Sequence, residues 1–244
     1  MAAFIDLFAQ NGITLAESDA RTPMGLPKKD HIRALLPVPA VASRWQELKG
    51  AVPTETDVER LYAEFIPLQT AAITHHSDVI PGTPQVLALL RSQGIRVGST
   101  TGYASFMMRD LVAAAARGGF DPECTVTSDQ VRQGRPAPWM ALHAAMLLDA
   151  YPVSSCVKVG DTIADIDEGR NAGMWTIGIT RTGNEIGLSE AAIGALDPAD
   201  LRNRLTHACA RMRDAGANYV IEGIWDLPGV LDEIAARIGR GERP

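Results

Sequence analysis

From about residue 95 onward, short apolar runs alternate with amphipathic stretches, and this alternation constrains the fold more than any other feature. The runs are IRVGST (95–100), CTVTS (124–128), CVKVG (156–160) and WTIGIT (175–180), with a possible fifth at 219–224. Helical stretches are expected at 84–92, 106–116, 139–148 and 163–172. Strands separated by helices of about ten residues predict a doubly wound parallel α/β sheet.

Residues 1–75 read differently, as an all-helical unit. Phe4, Ile5, Leu7 and Phe8 make one apolar face that Asn11-Gly12 ends. A second helix is expected over 26–36, stopped by Pro37 and Pro39. Two more are expected over 40–48 and 54–74, the latter with Thr54 and Asp57 as a capping pair. The division is thus 1–75 helical and 76–244 α/β.

Charge and cysteine content narrow the function classes. A formal net charge of −6, with Lys28-Lys29 the one basic doublet, argues against a nucleic-acid binder. No apolar run reaches the roughly 18–20 residues of a membrane span. Cys124, Cys156 and Cys209 are few, odd in number and widely spaced. They form neither a disulfide framework nor a zinc pattern, and they fit a reducing, cytoplasmic compartment. No basic stretch precedes an apolar one at the N-terminus, so no secretory signal is read there.

In an open parallel sheet, ligands bind beyond the carboxyl ends of the strands. The residues there are Ser99-Thr100-Thr101-Gly102-Tyr103, then Gly134-Arg135-Pro136, then Gly160-Asp161-Thr162 with Asp165. Hydroxyls, a guanidinium and paired carboxylates suit phosphate chemistry with Mg²⁺. Each has a plainer reading. Asp161 and Asp165 are an N-cap and a solvated helix charge, or a metal site. Thr101 and Gly102 are a capped turn, or an anion site. Arg135 is a surface charge, or a phosphate ligand. Asp167 and Glu168 read as helix-surface charges. Lys28 is one of four lysines against 19 arginines, a modest hint of amine chemistry set against a solvated helix face. His31, three residues on, shares its helix face and could exchange protons near neutral pH. His75, His76, His143 and His207 read as structural.

Four segments together resemble one family: PMGLPKKDHIRALL (23–36), GSTTGYASFMM (98–108), GRPAPWM (134–140) and VGDTIADIDEGRNAGMWTIGI (159–179). They are similar to the phosphonoacetaldehyde hydrolases, or phosphonatases, of the haloacid dehalogenase superfamily. The last segment marks the superfamily, and the first marks the family's helical cap. The resemblance implies a Rossmannoid α/β core with an α-helical cap, and hydrolysis of a P–C bond to acetaldehyde and phosphate. It implies that Lys28 forms an imine with the substrate, with Met24, His31 and Tyr103 lining the imine and its proton path. It implies phosphate binding by Thr101, Gly102 and Arg135, Mg²⁺ binding by Asp161 with Asp165 in support, and homodimerisation through the cap.

One family motif has no match. The strand followed by Asp-x-Ala-Gly-Thr, which carries the family's nucleophilic aspartate, occurs nowhere in this sequence. Asp129 is the nearest substitute, and its following QVRQG does not match. The expectation is that roughly 25 residues lie upstream of Met1, by family layout rather than domain-size arithmetic. Without them two neighbouring strands lose a ladder partner. Lys29 is a second departure, standing where the family tolerates an apolar residue, and its ammonium could depress the Lys28 pKa if both are poorly solvated. The alternatives are a related phosphatase or phosphomutase of the superfamily, and a non-catalytic remnant.

Overall fold

The computed structural model describes residues 1–75 and 78–244. The expected division at residue 76, and the reading of the His75 and His76 side chains, fall outside what is described. The first part is helical. Helix α1 (Ala2–Gln10) buries Ala3, Phe4, Leu7 and Phe8 and ends at Asn11. The short α2 (Glu17–Arg21) was not expected, because five residues hold no apolar periodicity to read. Helix α3 (Lys28–Leu35) starts two residues later than the pattern suggested. Pro27 is its N-cap in extended backbone, and a proline offers no N–H to an upstream turn.

Helix α4 (Pro39–Lys49) closes on the left-handed Gly50. The long α5 (Glu55–His75) is capped by Thr54, whose N–H and hydroxyl donate to Asp57 at 2.9 and 2.7 Å. One apolar cluster, drawn entirely from residues 3–65, joins these helices around Phe4, Phe8, Ile32, Trp45, Leu61 and Phe65.

The remainder alternates helix and strand. It runs α6 (Thr83–Ser92), β1 (Gly98–Thr101), α7 (Ser105–Arg117), β2 (Cys124–Thr127), α8 (Trp139–Leu147), β3 (Val157–Gly160), α9 (Ile163–Asn171) and β4 (Trp175–Ile179). It ends with α10 (Glu190–Gly194), α11 (Pro198–Asp214), β5 (Tyr219–Ile221) and α12 (Leu227–Gly239). Strand β1 begins later than the apolar run: Val97, just before it, donates its N–H to the Glu123 carboxylate at 3.2 Å, while its carbonyl accepts the Glu123 N–H at 2.8 Å. Every described strand pair is parallel. Trp175 and Ile177 face α6 and α12, while Thr176 and Gly178 face α9 and α11. Helices therefore cover both faces, as a doubly wound α/β fold requires.

The described strands form two sheets, β1–β2 and β3–β4–β5. Strands β1 and β3 each have one ladder partner, and side chains meet across the space between them: Lys158 Nζ on β3 donates to Thr100 Oγ1 on β1 at 2.7 Å. Burial follows the pairing. Trp175–Gly178 of β4, flanked on both sides, are fully buried, whereas β1 and β3 are half-exposed throughout. Free strand edges carry unpaired N–H and C=O groups.

Candidate active site

The segment 23–28 reaches out of the helical part and seats on the carboxyl ends of the strands. Close approach makes that seat. A Cβ on Gly102, just after β1, would stand 2.8 Å from the Leu26 carbonyl. A Cβ on Gly134 would overlap the Pro27 ring, and one on Gly25, at φ +94°, would overlap the Thr162 hydroxyl. Each contact admits only a residue without a side chain. Lys28, the first residue of α3, is thereby held over the sheet edge.

The Lys28 ammonium lies 4.7 Å from the Tyr103 ring centroid and 5.8 Å from that of Phe4. Burial, reinforced by the Arg135 charge and partly opposed by Asp161, lowers its pKa to about 8. Lys29 has no part in this. It pairs outward with Glu59 and Glu55, which raise its own pKa. The neighbouring cation that matters is Arg135, not the adjacent lysine.

His31 is fully buried and stacks on Phe4 at 3.8 Å between centroids. Its Nε2 lies 2.9 Å from the Ala20 carbonyl, which can only accept, so Nε2 carries the proton. Nδ1 is left buried without a partner. Burial, then the Lys28 charge, pushes the pKa down to about 3. The expectation of proton exchange near neutral pH is therefore corrected: the ring is neutral there. Tyr103 OH accepts from Gln69 Nε2 at 3.3 Å, and burial raises its pKa. Met24 sits in the same docking turn, half-buried, its N–H on the Arg21 carbonyl at 3.0 Å.

Beneath Lys28 lies a buried four-charge cluster. Arg135 donates through Nε to Glu168 at 2.9 Å, and its Nη2 reaches Asp165 at 3.0 Å and Thr100 Oγ1 at 2.7 Å. Lys158 Nζ lies 2.7 Å from Glu168 and 3.1 Å from Asp165. Burial works against the charge on Arg135, and Asp165 and Glu168 outweigh it, so its pKa is raised. Glu168, expected on the helix surface, is 0% exposed. A signal for it existed. Lys158 interrupts an apolar strand, Asp165 and Glu168 share a face of the next helix, and a buried lysine needs partners.

Thr101 ends β1, and its Oγ1 accepts the Tyr103 N–H at 3.2 Å. Thr101 and Gly102 thus sit beside Tyr103, while Arg135 approaches from the far side of Thr100.

The two carboxylates of the GDTxxD motif differ. Asp165 is engaged on both oxygens: Thr162 Oγ1 donates to Oδ2 at 2.7 Å, and Arg135 and Lys158 pair with Oδ1. Burial alone would raise its pKa, but Arg135 and Lys158 hold it at about 2. Asp161 has no such pairing. Its Oδ2 accepts the Asn184 N–H at 2.9 Å, and burial with the Asp165 charge raises its pKa. A carboxylate so placed fits a divalent cation, which takes one or two carboxylates and otherwise neutral oxygens. Among the described residues no cluster of three or more metal-type side chains occurs. Asp129 Oδ1 accepts the Ser105 N–H at 2.9 Å and the Thr127 hydroxyl at 2.6 Å, which ties it to the start of α7 and the end of β2.

Lys28, Gly134 and Arg135 line a cavity of about 620 Å³, and Thr101 and Tyr103 line a second of about 410 Å³. The model of the haloacid dehalogenase-like hydrolases matches residues 1–173. A phosphonoacetaldehyde hydrolase of Nitratidesulfovibrio vulgaris is 44% identical over 243 residues, covering 100% of this chain and 87% of the relative. A phosphonoacetaldehyde hydrolase-like protein of Syntrophobacter fumaroxidans is 44% identical, covering 100% and 88%. The crystal structure of a phosphonoacetaldehyde hydrolase-like protein from Oleispira antarctica superposes with a TM-score of 0.98 at 42% identity, covering 100% and 88%. Such hydrolases use a divalent metal. With identity of this order along its whole length, the chain belongs to the phosphonoacetaldehyde hydrolases of the haloacid dehalogenase superfamily.

Proposed function

We propose that the protein cleaves the P–C bond of phosphonoacetaldehyde through an imine on Lys28. The observation that carries this reading is the Lys28 ammonium, seated on Tyr103 with its pKa lowered to about 8. A lysine so placed holds a usable fraction of neutral amine near neutral pH. Its Nζ attacks the aldehyde carbon, and water leaves. The P–C electrons flow into the protonated imine as phosphorus is taken by a carboxylate, leaving an enamine. Protonation at carbon and hydrolysis release acetaldehyde and free Lys28, and water cleaves the acyl phosphate.

Thr101, Gly102 and Arg135, whose Nη1 donates to the Gly25 carbonyl at 3.4 Å, are the proposed phosphonate ligands. Mg²⁺ held by Asp161 would neutralise charge on the transferring phosphoryl group. His31 keeps Nδ1 as a bare acceptor three residues from Lys28, while its neutral ring adds no further positive charge beside the amine. Residues 1–75 act as the cap.

The nucleophile is proposed to be an aspartate on a parallel strand lying between β1 and β3. The two facing, half-exposed edges support this, as does the tying of Asp129 to the start of α7. Homodimerisation through the helical part rests on the resemblance. A cytoplasmic location is supported by three unbridged cysteines, and among the described residues no helix is long and apolar enough to cross a membrane. The test is phosphate release by the 244-residue chain with Mg²⁺ and phosphonoacetaldehyde. No release is expected, and release would overturn the placement of the nucleophile outside these residues.

A further inference from the structure

The loop after β4 wraps the candidate metal carboxylate and is gripped by the helical part. A Cβ on Gly183 would lie 2.7 Å from that of Asp161, and the next N–H, on Asn184, donates to Asp161 Oδ2 at 2.9 Å. Arg21, the last residue of α2, spans from the other side. Its Nη1 donates to the Asn184 carbonyl at 3.0 Å, and its Nη2 to the Gly187 carbonyl at 3.3 Å. Glu17, one turn back, orients the guanidinium at 2.7 Å. Gly187 has φ +62°, and a Cβ there would fall on the guanidinium. The fork therefore fits only this backbone. The same short helix, through the Ala20 carbonyl, also holds His31.

We propose that Arg21 is a positioning residue. By gripping the 184–187 carbonyls it fixes the Asn184 N–H on Asp161 and sets that carboxylate's orientation once segment 23–28 is seated. A planar fork suits this task better than an ammonium, because two carbonyls must be held at once. The role in metal binding rests on the reading of Asp161 as the Mg²⁺ ligand.

The test uses Arg21→Ala and Gly187→Ala, which break one contact from opposite sides, with Arg21→Lys in case Arg21→Ala fails to fold. Two quantities are read on the 244-residue chain: the Asn184 amide exchange rate by NMR, and the Mg²⁺ dissociation constant by calorimetry. Each variant is expected to raise both by about tenfold, the usual scale when a group supporting a metal ligand is lost. The double variant should be no worse than either single, since both remove the same contact. Unchanged Asn184 exchange would overturn the proposal. Raised exchange with unchanged Mg²⁺ affinity would overturn its role in metal binding. Asp161→Asn separates the two ideas: Mg²⁺ binding that survives it rejects the ligand reading, while Asn184 exchange still decides the role of Arg21.

Discussion

The Lys28 ammonium stands 4.7 Å from the centroid of the Tyr103 ring, and the two residues come from opposite sides of the seam between helices and sheet. Lys28 is brought there by a helix start, and Tyr103 by the turn after β1. The amine is therefore only as well placed as the docking of segment 23–28. Its folded pKa of about 8 lies below the ordinary 10.5. Between these values the unfolded chain binds a proton the folded one does not, so this group's contribution to stability rises with pH across that window. Adduct formation should rise with pH with a midpoint near 8. Borohydride incorporation against pH checks this, and a midpoint near that of a free lysine would contradict it.

Glu168 should be indispensable to the fold. Glu168→Gln leaves Arg135 and Lys158 short of a partner in a buried cluster. It should cost about 3–5 kcal/mol, as for breaking a buried ion pair. Asp167→Asn, one residue earlier and half-exposed, should change stability by less than about 0.5 kcal/mol. Urea unfolding of both variants measures the difference.

Gly102 should be a docking residue rather than a stability residue. In Gly102→Ala the new Cβ meets the Leu26 carbonyl at 2.8 Å, so segment 23–28 must lift. Adduct formation at Lys28 should fall by about tenfold or more, since small misplacements of reacting groups are costly. Gly194→Ala, in α10 with open space around it, should be neutral or stabilising by about 0.5–1 kcal/mol. Trapping kinetics and thermal unfolding separate the two outcomes.

His31 should make the protein acid-sensitive. Its folded pKa of about 3 lies below the ordinary 6.5. As pH falls from 6.5 toward 3, the unfolded chain gains a proton that the folded chain refuses, and stability is lost across that window. The contribution approaches about 1.4 kcal/mol per pH unit at its steepest. The window lies above that of Asp165, which loses its contribution between 3.8 and about 2. His31→Phe should flatten the fall in Tm across the upper window. Parallel curves for the two proteins would contradict this.

Particular residues mark how far the sequence could be read. Lys28 and Asp161 stood out in the sequence because one opens a helix and the other follows a strand, and Arg135 because it lies in a Gly–Arg–Pro turn between β2 and α8. Glu168 was not, because a helical pattern says which residues share a face but not what packs against it. The clue lay on another element, in Lys158. Arg21 was illegible for a related reason: its partners are backbone carbonyls more than 160 residues away. The Glu123 carboxylate takes the Val97 N–H ahead of β1, a tertiary contact that apolar runs do not record.

Imine formation on Lys28 is the step on which the proposed reaction depends. The most direct measurement is borohydride reduction of the protein with phosphonoacetaldehyde, followed by peptide mapping. A single reduced adduct is expected on Lys28, absent from Lys28→Arg and unaffected by Lys29→Arg. An adduct on another lysine, or none on the unmodified protein, would contradict it.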